Sequence, residues 1–261
     1  HGDMALAYAV NFIEDNNLAS ITVYGEFLEK HKPKFEAQIF ENSSWSCVHG
    51  VERWRENCGC CSGMNPNWHQ KWRAPLRGAL DWLRDNVAQV YEEKLSSVCD
   101  DPWQARNDYL EVIRDRTGQT VDSFLEKNFK TKPQDKDLVQ LLKCLEMQRH
   151  AMLMYTSCGW FFNELSRIET VQIIQYAGRM LQLCAEMFDG DIEAPFLKKM
   201  EEAKSNIPEM GNGRRIYEDL VKPAIVDLRG VAAHYAISSL FEEYPEESVL
   251  FCYNIRGLKR H

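Results

Sequence analysis

Leu76, Leu80, Leu83, Val87 and Val90 are spaced four, three, four and three, which on a 3.6-residue repeat puts all five on one stripe of a long helix. The pattern recurs. Leu138, Leu142, Leu145 and Met152 mark another helix, and Val171, Ile174, Gly178, Leu181, Ala185 and Phe188 an almost heptad-spaced one. Asp101-Pro102 has the cap-then-proline order that opens a helix, here running to about Asp115. Asn212-Gly213 opens a last helix carrying Ile216, Leu220, Ala224, Leu228, Val231 and Tyr235, with Pro223 inside it as a kink or break. Near the start, Asp3 can cap Met4 to Asn17, and a short piece after Thr22 stops at Lys32-Pro33. Helices joined by short turns bury their stripes against one another. The expected fold is therefore mainly α, an antiparallel helical bundle with one or two marginal strands, at Phe35–Glu41 and Ser248–Ile255, the second without an obvious partner.

With 44% hydrophobic residues in 261, the chain can bury a real core. A net charge of −8 argues against nucleic acid as a partner, because neutralising phosphates needs a basic footprint. No apolar run reaches the roughly 20 residues that cross a bilayer, and no signal peptide opens the chain, so a soluble cytoplasmic protein without membrane partners is expected. Cys99, Cys144, Cys184 and Cys252 are scattered singly, as buried free thiols are, and the odd total of nine fits a reducing compartment. Both ends read as cuts inside a longer polypeptide.

The segment from Asn42 to Trp72 breaks the helical pattern. It holds Trp45, Trp54, Trp68 and Trp72, two histidines, and Cys47, Cys58, Cys60 and Cys61. Tryptophan faces suit the C–H face of a pyranose ring, and His49, Glu52, Arg53 and Arg55 can hydrogen-bond sugar hydroxyls. Equally, the tryptophans can seal the bundle. A third reading takes Cys47, His49, Cys58 and Cys60 as zinc ligands, although the spacing is not that of a standard finger. On a helix, moreover, Cys47 and His49 would not share a face. Farther on, Cys158 and His150 would lie about 12 Å apart along a helix, too far for direct proton transfer. Gly159 can turn Trp160 either into a cleft or into the core. Arg214 and Arg215 pair with nearby acids more readily than they hold an anion.

The stretches ENSSWSCVHGVERWRENCGC, EMQRHAMLMYTSCGWFF, IETVQIIQYAGR and AKSNIPEMGNGRRIYEDLVKPA resemble the family called domain of unknown function 3536, over roughly Gly2 to Tyr244. In that family the region follows a catalytic part of the glycoside hydrolase family 57 kind. The resemblance implies an N-terminal catalytic barrel in the same polypeptide and a helical region that closes over its cleft. Family 57 enzymes retain configuration with two carboxylates about 5 to 5.5 Å apart; neither can be placed on this sequence, so no catalytic residue is assigned. The expected role is a cleft-covering, substrate-contacting part of an enzyme acting on α-glucan-like polymers, inactive by itself, with Trp45, His49, Glu52, Arg53, Trp54 and Trp160 toward the sugar. The alternatives are a metal-binding module and a scaffold or oligomerisation domain. The expected organisation is 1–72 abutting the barrel, 73–244 as the bundle, and 245–261 as a strand-like tail.

Overall fold

The stripe at Leu76–Val87 lies on α3 (Arg73–Leu95), where Leu76, Leu80, Leu83 and Val87 are fully buried. This comes from a computed structural model describing residues 1–63, 65–131, 133, 135–250 and 253–256. Its two units are 1–42 and 43–261, so the Trp- and Cys-rich segment belongs with the bundle. The first unit contains α1 (Gly2–Asp15) and α2 (Tyr24–Lys30), and neither helix carries a buried residue. Phe35–Glu41 is not a strand. Among the described residues the only sheet is the two-stranded one at the C-terminal side.

In the second unit, α4 (Pro102–Arg114) starts as the sequence indicates: the Asp101 carboxylate accepts from the Gln104 N–H at 2.9 Å. Then come α5 (Gly118–Asn128, capped by Thr117), α6 (Asp135–Leu153), the single turn α7 (Cys158–Phe161), α8 (Ile168–Met187) and α9 (Glu193–Met200). α6 packs on α8 and α3, α9 on α3, and α7 on α8. One apolar core joins them, from Trp72 through the α3 stripe to Ile173, Ile174, Met180 and Phe196.

The expected last helix breaks at Pro223. α10 (Gly213–Ile216), capped by the Asn212 side chain, widens into a π-turn at Tyr217–Val221 and a 3-10 turn at Lys222–Ala224. α11 (Leu228–Ser238) then starts afresh on an Asp227 cap. Proline supplies no N–H and clashes with the preceding turn, which accounts for the break. The C-terminal strand does have a partner: β1 (Glu247–Leu250) and β2 (Tyr253–Arg256) form an antiparallel hairpin. Among the described residues no helix is long and apolar enough to cross a membrane. Cys99, Cys144 and Cys184 are buried free thiols, and Cys252 lies outside the described residues.

Candidate metal centre

Residues 45–49 are turns, not helix, and this removes the geometric objection to Cys47 and His49 acting together. The Gly50 N–H closes back on the Cys47 carbonyl at 3.1 Å, and Gly50 has φ 66°, a left-handed value that favours glycine. A 3-10 turn, Gly50–Trp54, follows. Gly59, at φ 76°, makes a second such bend between Cys58 and Cys60, with its N–H held by the Gln70 side chain at 3.1 Å.

These bends bring together the donor atoms of Cys47, His49 and Cys60, all within 4.8 Å of one another. Cys47 Sγ lies 3.7 Å from Cys60 Sγ and 3.7 Å from His49 Nδ1, and Cys60 Sγ is 3.5 Å from the same nitrogen. Zinc–sulfur bonds of about 2.3 Å and zinc–nitrogen bonds of about 2.0 Å at tetrahedral angles give edges of about 3.8 Å and about 3.5 Å. The three observed edges match that tetrahedron. Cys58 adjoins Cys47 and Cys60 but is not one of the three residues whose donors lie within 4.8 Å of one another, and its sulfur accepts from Arg73 Nη1 at 3.5 Å. Cys61 turns away, accepting from the Asn163 side-chain amide at 3.2 Å. Burial alone would raise the Cys47 thiol, but the His49 backbone N–H and ring, then Cys60 and Cys58, bring it down to about 7. The hydrogen bond to Cys47, with burial next, raises Cys60.

Of the residues expected to face a sugar, two are withdrawn. Trp160 is 0% exposed, stacked on Trp72 at 6.3 Å, with its N–H on the Met154 carbonyl. It is core, because α7 lies directly on α8. Arg53 is also buried; its guanidinium donates to the Ser46 and Phe161 carbonyls at 3.0 Å each and covers the Phe161 ring. Trp54 is half-buried against the core, its N–H donating to the Ser157 carbonyl at 3.1 Å, and Glu52 pairs with Arg55. Trp45 is 94% exposed and stacks on Phe161 at 6.4 Å, while His49 is exposed beside the sulfurs. Trp45 stands on a ledge. A hollow of about 310 Å³ lies elsewhere, lined by Leu95, Phe129, Leu141 and Cys144.

Sequence reasoning missed Arg73, whose guanidinium donates to the Phe161 and Phe162 carbonyls at 3.0 Å each. The signal was present: Arg73 precedes Leu76 by three and so shares the buried stripe of α3. Burial lowers this guanidinium to about 10, so it stays charged at neutral pH. A buried polar knot at the corner between α7 and α8 was missed as well. The Glu164 carboxylate accepts from Ser205 Oγ, the Asn206 N–H, and both the N–H and hydroxyl of Ser166. The Asn163 carbonyl accepts from Trp72 and Asn206, and its side chain from Gln70, so the Cys-rich segment is sewn to the bundle.

Fold and cluster together define a mainly helical domain carrying a Cys/His/Cys constellation that can hold a metal ion. Residues 68–261 match the family described as domain of unknown function (DUF3536), and the chain belongs to it. The match includes the C-terminal hairpin and starts beyond Cys60, so all four candidate ligands lie outside it. No curated protein and no solved structure matches the chain.

Proposed function

We propose that residues 43–72 are a zinc-stapled cap on the helical bundle, with Cys47, His49, Cys58 and Cys60 as ligands. The agreement of three donor–donor distances with tetrahedral edges carries this reading. Soft thiolates with one imidazole select zinc over the harder divalent ions. A fully protein-ligated ion has a structural role: it holds a loop whose residues bury too little to hold themselves. Protein purified without chelator is expected to contain about one zinc per chain by elemental analysis, because structural sites bind stoichiometrically. A content below about 0.2 per chain would remove the reading.

The same cap gives the carbohydrate reading its footing. Trp45 presents an almost fully exposed aromatic face two residues before Cys47, on a loop that the metal would keep rigid. The resemblance to family 57 architecture motivates the proposal that this ledge contacts an α-glucan-like polymer whose catalytic groups sit on an N-terminal barrel of the same polypeptide. In that longer polypeptide, Trp45→Ala is expected to weaken maltooligosaccharide binding about tenfold, the scale of one lost aromatic contact. Melting should be unchanged, since Trp45 supports no core. Titration calorimetry checks this; unchanged binding, or a full-length protein inert toward every α-glucan, would count against the ledge.

A further inference from the structure

Arg73 and Arg53 are 0% and 3% exposed, and among the described residues neither forms an ion pair with a carboxylate. Both keep a buried Nε without a hydrogen-bond partner. Their other nitrogens donate to the carbonyls of Ser46, Glu56, Phe161 and Phe162. Carbonyl dipoles soften a buried positive charge but supply no opposite one, and an uncompensated buried ion is strongly destabilising. The group in reach that can become anionic is the sulfur cluster: Arg73 Nη1 lies 3.5 Å from Cys58 Sγ, with Cys47 beyond it. As neutral thiols these sulfurs would leave both guanidiniums without a counter-charge. A divalent ion with three thiolates and a neutral imidazole carries a net charge of about −1.

We infer that Arg73, with Arg53 behind it, is the built-in counter-charge of an anionic three-thiolate centre, positioning Cys58 by an N–H···S bond and coupling metal binding to the seating of the cap. The inference rests on the zinc reading, since it says what holds such a centre's excess charge. Arg73 touches a ligand and not the ion, so it is a positioning residue. Its partners divide the work: Nη1 reaches the cap at Glu56 and Cys58, and Nη2 reaches the turn after α7.

The test compares wild type, Arg73→Met and Arg73→Lys by competition titration of zinc against a chromophoric chelator and by melting with and without zinc. In Arg73→Met the zinc dissociation constant is expected to rise about 10- to 100-fold, the usual cost of losing a group that supports a ligand. Arg73→Lys, which keeps the charge but replaces the two-armed fork by a single ammonium, should bind zinc more tightly than Arg73→Met and more weakly than wild type. Because coupling is reciprocal, zinc should raise the melting temperature of wild type by more than that of Arg73→Met. A purely structural arginine would lower both melting temperatures equally and leave the zinc increment alone. Wild type that binds one zinc, with Arg73→Met binding it equally tightly, overturns the inference and spares the zinc reading; wild type that binds none overturns the zinc reading itself. If Arg73→Met does not fold, Arg53→Met is read by the same titration, and wild-type affinity in it overturns the pairing.

Discussion

Trp160→Ala is expected to cost roughly 3–5 kcal/mol, the range for truncating a buried tryptophan or phenylalanine. Its ring stacks on Trp72 at an interplanar angle of 19°, and the Arg77 guanidinium covers it at 5.5 Å. Truncation therefore opens a cavity where cap, α3, α7 and α8 meet, and leaves the Met154 carbonyl without its donor. Against a total stability of about 5–15 kcal/mol for an ordinary domain, that is a large fraction of the whole. Urea denaturation followed by far-ultraviolet dichroism measures it. Trp45→Ala is the internal control, expected within about 0.5 kcal/mol of wild type because that side chain stands in solvent. The pair separates two tryptophans that the sequence offers as candidates for a cleft. Equal stabilities would mean that Trp160 is not the core residue its burial makes it.

That difference shows where the sequence was legible. The α3 stripe, the Asp101 cap and the break at Pro223 rest on local rules of period, capping and ring geometry, and the structure follows them. The face of α6 does not follow from its leucines. Leu138 and Leu142 are half-buried and Met152 is exposed, whereas Leu141, Cys144, Leu145, Met147, Gln148 and Ala151 are buried. α6 packs on three helices, α8, α3 and α4, and close approach selects small and sulfur-bearing side chains that a count of leucines undervalues. Trp160 depends on the same kind of information. A methyl group added at Gly159 would meet Ile173 Cγ2 at 2.4 Å, so α7 sits against α8 at a distance only glycine allows, and the next residue is carried inward. For the metal cluster the residue types were readable and the geometry was not. Placing Cys47 and His49 on a helix separates them, whereas the turn that the Gly50 N–H closes on the Cys47 carbonyl brings them together, and nothing in the spacing alone announces that turn. The anchors Arg73, Asn163 and Glu164 are scattered along the chain and come together only through tertiary contact.

On the proposed zinc reading, chelation is expected to free the cap and leave the helices standing. The apolar core from Leu76 to Phe196 lies within the bundle and, among the described residues, includes no side chain from 48–53 or 55–71. In the stretch 43–63 only Cys47 and Arg53 are buried, so burial alone holds it weakly. Its attachment then rests on the arginine and amide hydrogen bonds and on the ligand set. Structural zinc in isolated finger peptides contributes roughly 10–16 kcal/mol at neutral pH. If even about 3 kcal/mol of such a contribution holds the cap closed, losing it multiplies the open population about 100-fold. Arg55, exposed just after the 3-10 turn, is the tryptic bond that reports this opening. Cleavage there is expected to accelerate about 100-fold with chelator, the proteolysis rate tracking the open fraction while helical dichroism is retained. Cys47→Ser should show the fast rate with zinc present, and Cys158→Ser, at an exposed cysteine outside the cluster, the slow one. Slow cleavage of Cys47→Ser would mean that Arg53, Arg73 and the Asn163 knot hold the segment by themselves, and the metal would lose its structural role.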